Sequence, residues 1–203
     1  MSAIIQKALN HCLRILRESR CNFLAFHNCQ HTQDVYNNVK AIGSYEKLNQ
    51  DDLEIVLLAA LFHDTGNTQV FQGHELLSAH KACCFLNRNN YPKDRIEKVT
   101  NCILGTKMPQ LPKTQLEKVL CDADLAHLGS TAFQEKNKCL RLEWHNQLNL
   151  SFTTKEWLEL NCSFLENHTY FTNFGKKFLE PQKQKNMIQI KKLLDQNNNQ
   201  KIA

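Results

Sequence analysis

Ten consecutive residues, Leu53-Glu54-Ile55-Val56-Leu57-Leu58-Ala59-Ala60-Leu61-Phe62, are apolar but for one, and they run straight into His63-Asp64-Thr65-Gly66. A stretch this uniformly apolar shows no polar face, so it reads as a helix buried on most sides rather than a surface amphipathic one. The helix is expected to start at Asp51 or Asp52, and Gly66 is placed to cap its C-terminal end. An ionised carboxylate at the inner end of such a helix must find a cation or a full set of hydrogen bonds. Asp64 therefore points to a metal.

Further ligands are on offer. His27 and His31 stand four apart on a segment read as one helix from Asn22 to Ile42, ended by Gly43, which would place both imidazoles on one face. Asp122 and Asp124 lie in Val119-Leu120-Cys121-Asp122-Ala123-Asp124, acids embedded in another apolar helical pattern. Of the two, Asp122 is taken as the ligand and Asp124 as a neighbour facing the ligand shell or solvent. Imidazole nitrogen with carboxylate oxygen is a mixed set that suits a divalent ion such as Zn, Mn, Fe, Mg, Ni or Co, with positions left open to water.

The rest of the chain reads as helix as well. Ile4, Ile5, Ala8, Leu9, Cys12, Leu13 and Leu16 recur at intervals of three and four and should form a first amphipathic helix that stops between Ser19 and Asn22. Leu76 to Leu86 follow the same pattern, Pro92 marks a new helix start, and Pro109 and Pro112 punctuate a loop before a helix over 114–128. Later helices are expected at about 131–148, 154–168 and 182–195. No β-alternation, glycine-rich phosphate loop or repeat stands out. The fold class is all-α.

At 203 residues the chain has room for one domain, taken as 1–195, with a metal-site core at 22–130, C-terminal helices at 131–195 and a disordered polar tail at 196–203. No apolar stretch is long enough for a membrane span, and no export signal is visible at the N-terminus. Nine cysteines, an odd number without paired spacing, read as reduced thiols, so the expected compartment is the cytoplasm. The net charge of +5 favours anionic ligands, but the basic residues are scattered and lack the interleaved aromatics of a nucleic-acid face. An anionic ligand is the expected partner, with no membrane and no nucleic acid.

His31, His63-Asp64 and Asp122, in that order in an all-helical chain, resemble the metal signature of the HD superfamily of metal-dependent phosphohydrolases. Phe26-His27-Asn28-Cys29-Gln30-His31-Thr32-Gln33-Asp34-Val35 is similar to a segment of its cyclic nucleotide phosphodiesterase branch, in which the first His donates a proton and the second binds metal. Gly73 to Ala79 and Asp122 to Gly129 resemble stretches of small bacterial members. The resemblance implies a metal held by His31, His63, Asp64 and Asp122, with His27 and Asp64 catalytic. It implies hydrolysis of a small phosphomonoester or phosphodiester, with a nucleotide or other small phosphorylated metabolite as the partner, by water activated on the metal. One tight ion is expected, and His74, Glu75, His80 and Lys107 are candidates for a second ion or for substrate. The phosphodiesterase branch carries a further His where this chain has Asn67, so specificity for cyclic nucleotides does not carry over. Two other readings share the frame: a di-iron oxygenase, and a nucleotide-binding regulatory module without turnover. Farther on, Arg141, Glu143 and Tyr170 are the residues singled out as possible shapers of substrate choice.

Overall fold

In the computed structural model, which describes residues 2–199, every regular element is helical and no strand occurs among the described residues. The chain divides into two compact units, residues 1–124 and 125–203.

The first unit holds six helices: α1 (Ala3–Arg17), α2 (Cys29–Tyr45), α3 (Gln50–Phe62), α4 (His74–Arg88), α5 (Lys93–Gly105) and α6 (Gln115–Asp124). Its centre is α3. Ile55 through Phe62 are all buried, eight residues in succession, which is what an apolar run with no polar face requires. Helices α1, α2, α5 and α6 all pack against α3, and α4 lies along α5. The amphipathic α1 places Ile5, Ala8, Cys12 and Leu16 inward. Burying the Ile, Val, Leu and Phe side chains of α3 contributes roughly 1.5 to 3 kcal/mol each, so disturbing this helix costs the unit most.

One helix start and one helix end differ from expectation. The segment over 22–28 is not the first part of α2. A 3₁₀ turn (Arg20–Phe23) and a bend precede Asn28, whose extended backbone and side chain make it the N-cap. Gly66 does not cap α3 either: His63 holds the cap position in right-handed geometry, and Gly66 lies within a 3₁₀ turn over Thr65–Thr68. Gly73, with φ of 71°, makes the left-handed turn into α4.

The second unit contains α7 (Phe133–Leu148), α8 (Thr154–Asn167) and α9 (Glu180–Asn199), with a 3₁₀ segment over Leu125–Gly129 and a π turn over Gly175–Leu179. Leu128, Phe133, Leu158, Leu165 and Ile190 form its core. Thr153 and Glu156 close a capping box at the start of α8. The tail read as disordered is helical through Asn199, and residues 200–203 lie outside the described residues. Arg141, Glu143 and Tyr170 are engaged within this unit: Arg141 donates to the Phe152 carbonyl, Glu143 is 1% exposed, and Tyr170 donates its hydroxyl to the Leu125 carbonyl at 3.2 Å.

All nine cysteines are free thiols. No helix among the described residues is long and apolar enough to cross a membrane.

Candidate metal centre

Each ligand is placed by a helix end. The Asn28 side-chain oxygen accepts from the backbone N–H groups of Gln30 (2.9 Å) and His31 (3.3 Å), satisfying donors that a helix start leaves without partners. This fixes the first turn of α2 and carries His31 into the interior, 4% exposed. His27 precedes the cap and so does not share a helix face with His31, contrary to expectation. Its ring nevertheless comes within 5.7 Å of the His31 ring and 6.2 Å of the His74 ring, centroid to centroid.

His63 and Asp64 follow the last residue of α3. The His63 Nδ1–H donates to the Ala60 carbonyl at 2.8 Å, one of the acceptors a helix end leaves open. That bond fixes the ring and leaves Nε2 as the lone-pair nitrogen, the arrangement in which histidine binds metals. Nε2 of His63 lies 3.4 Å from Nε2 of His31 and 3.2 Å from Oδ2 of Asp64.

The distant carboxylate is Asp124, and here the structure corrects the sequence reading. His31, His63 and Asp124 form a group whose ligand atoms all lie within 4.8 Å of one another, and Asp122 is not part of it. Asp124 Oδ1 stands 3.2 Å from His31 Nε2 and 3.6 Å from His63 Nε2. Two residues along an α-helix turn a side chain by about 200°, so only one of the pair can face the cluster. Asp122 is fully buried and lies outside the group. Asp124 ends α6, where the helix dipole disfavours a carboxylate unless a cation answers it, but a sequence pattern that runs on to residue 128 hides that end.

The atoms present fit a divalent ion. Two imidazole nitrogens at 3.4 Å cannot both direct lone pairs at one another without a proton or cation between them. With metal–ligand bonds of about 2.1 Å, neighbouring ligand atoms stand about 3.0 to 3.4 Å apart, and the cluster's spacings of 3.2 to 3.6 Å match that scale. Asp64 Oδ2 is buried with no hydrogen-bond donor, yet lies 3.2 Å from His63 Nε2 and 3.4 Å from His31 Nε2. It would join the triad as a fourth ligand. The electrostatics agree. Burial works against charge on His63, but the Asp64 and Asp124 carboxylates overcome it and hold its imidazole well above the usual range. In return, His63, His27 and His74 hold Asp64 well below the usual carboxylate range, against the same burial penalty.

Around this core the other expected residues divide. His74, at the start of α4, donates Nδ1–H to the Phe71 carbonyl (2.9 Å) and brings Nε2 to 3.1 Å from Asp64 Oδ1. Burial opposes its charge, and the Asp64 carboxylate lifts its pKa to about 9. Glu75 is buried beside it, its Oε2 4.0 Å from His74 Nδ1. His80 is exposed on α4, where its Nε2 meets the Cys84 sulfur at 3.5 Å, and Lys107 is exposed. Neither is among the residues gathered at the cluster.

Fold and site together define a class: an all-helical domain that gathers two imidazoles and a carboxylate from three helix ends for one divalent ion. The family model of the HD domain matches residues 29–128, a stretch that spans α2 through α6 and contains the complete triad. The chain carries an HD domain, and with this triad it is a metal-dependent hydrolase. Comparison with curated proteins found no match, and comparison with solved structures found none.

Proposed function

We propose that the chain hydrolyses a small phosphomonoester or phosphodiester, with a nucleotide as the favoured substrate class. The observation that carries this reading is the four-atom cluster of His31 Nε2, His63 Nε2, Asp64 Oδ2 and Asp124 Oδ1, inside an HD domain. A divalent ion held there supplies Lewis acidity toward a phosphoryl oxygen and lowers the pKa of water toward neutrality. Asp64 keeps its carboxylate ionised and aligned, since His74 occupies Oδ1 while Oδ2 is left for the cluster. His27 is half-buried, its ring 5.7 Å from that of Phe71 and 5.7 Å from that of His31. It is the proposed proton donor, an imidazole being matched to such work near neutral pH.

The triad supports one tight ion, and His74 is the residue from which a second site would start. The nine free thiols support a reducing compartment such as the cytoplasm. The same proposal keeps residues 1–195 as one HD-type domain.

The test is a screen of phosphorylated metabolites with the metal-loaded wild type, Asp64→Ala and His27→Gln in parallel. Phosphate release by the wild type, lost in Asp64→Ala and slowed in His27→Gln, is the expected outcome. Equal release by all three would overturn the catalytic assignment. Uptake of dioxygen without phosphate release would move the protein to the oxygenase class.

A further inference from the structure

The turn that follows Asp64 holds a second set of polar atoms that the metal does not explain. In a 3₁₀ helix, side chains three apart eclipse one another. Thr65 and Thr68 thus share one edge of the turn, and Lys81 fills it by donating to the Thr65 carbonyl at 3.0 Å and to the Thr68 hydroxyl. Asp64 and Asn67 share the adjacent edge, where the Asn67 N–H donates to the Asp64 carbonyl at 3.0 Å. The Asn67 side chain is 1% exposed, and neither its Nδ2 nor its Oδ1 has a partner.

Arg20 is anchored on that same residue. Its Nε–H donates to the Asn67 carbonyl at 2.7 Å, while its Nη2 is buried without an acceptor. Among the described residues no carboxylate pairs with this guanidinium. If Arg20 served only to tie its turn to the next one, the Nε bond alone would do so, and a buried charged N–H would be left at a cost. Unfilled donors on a cation and on an amide, one turn from a metal-binding carboxylate, are what an oxyanion would satisfy.

We propose that Arg20 and Asn67 form an oxyanion subsite next to the metal centre, in which Arg20 Nη2 and Asn67 Nδ2 donate to the oxygens of a phosphoryl group. Asn67 Oδ1 accepts from a protonated phosphoryl oxygen or a water carried in with it. The choice of phosphate as the anion rests on the phosphohydrolase reading; the presence of an anion subsite rests on the unpartnered donors.

Calorimetric titration with inorganic phosphate tests the subsite without turnover, using metal-loaded wild type, Arg20→Gln, Arg20→Lys and Asn67→Asp, each checked for metal content and for its unfolding transition. The wild type should bind phosphate. Arg20→Gln and Asn67→Asp should weaken binding about ten- to a hundredfold while keeping the metal, and Arg20→Lys should recover part of the loss. If Arg20→Gln does not fold, Asn67→Asp carries the same comparison. Undiminished phosphate affinity in folded, metal-loaded variants would overturn the subsite and leave the pair as the lining of an internal water. A wild type that binds no phosphate would overturn it too. The two readings fail separately. Arg20-dependent phosphate binding without hydrolysis of any phosphoester keeps the subsite and sinks the phosphohydrolase assignment; hydrolysis with an unchanged KM in Arg20→Gln does the reverse.

Discussion

The backbone carbonyl of His74 lies only 2.0 Å from where a Cβ on Gly66 would stand, and the Ser78 hydroxyl 2.9 Å from it. Helix α4 therefore sits on the turn after Asp64 at a distance that only glycine permits. The Gly66 N–H donates to the Ser78 hydroxyl at 2.8 Å and locks the approach, which brings His74 Nε2 onto Asp64 Oδ1. Gly66→Ala is expected to push α4 outward. Overpacking of this kind costs about 1 to 3 kcal/mol, read in denaturant unfolding, and the displaced His74 should lower the rate more than the substrate affinity. Ser78→Ala, which removes only the bond, should show a smaller loss in both.

The cap on α2 makes a second prediction. Asn28→Ala removes the acceptor for the Gln30 and His31 N–H groups and should cost about 1 kcal/mol of stability. Since His31 lies within the first turn, fraying there loosens a ligand, and metal affinity should fall severalfold. Asn28→Asp or Asn28→Ser, which keep an acceptor, should restore most of it. Calorimetric metal titration alongside thermal unfolding separates the two effects.

In the second unit, the His168 ring lies between Phe164 and Tyr170, at 6.2 and 4.6 Å, and neither ring nitrogen has a hydrogen-bond partner. Burial, then the nearby Lys183 ammonium, pushes its pKa down to about 4. The unfolded chain takes up this proton near pH 6.5, so below that pH protonation favours the unfolded state. The stability that His168 contributes is whole above about pH 6.5 and is lost progressively down to about pH 4. His168→Phe should flatten that part of the stability profile, measured as the unfolding midpoint of the full chain against pH.

Much of this was legible in the residues themselves. The apolar run before His63 announced a buried helix, and the His63-Asp64 pair at its end announced a cation, because burial leaves a carboxylate few alternatives. His31 enters through the resemblance to the HD metal signature, since two histidines four apart say little by themselves. Spacing misled twice. Four residues between His27 and His31 suggested one helix face, but the Asn28 side chain competes for the backbone and starts the helix after His27. Asp122 and Asp124 both sit in an apolar pattern, and nothing in that periodicity says which of two opposed faces meets the cluster. The Arg20 and Asn67 pairing is a contact 47 residues apart in sequence, invisible to any local pattern.

Metal binding depends on the carboxylate that completes the triad, and this is tested most directly by titrating wild type, Asp124→Asn and Asp122→Asn with a divalent metal in a calorimeter, each with its unfolding transition recorded. The expected result is a tight site in the wild type, a loss of at least about a hundredfold in Asp124→Asn, on the order of what one charged ligand contributes, and a site retained in any Asp122→Asn protein that folds. Wild-type affinity in Asp124→Asn would contradict the account.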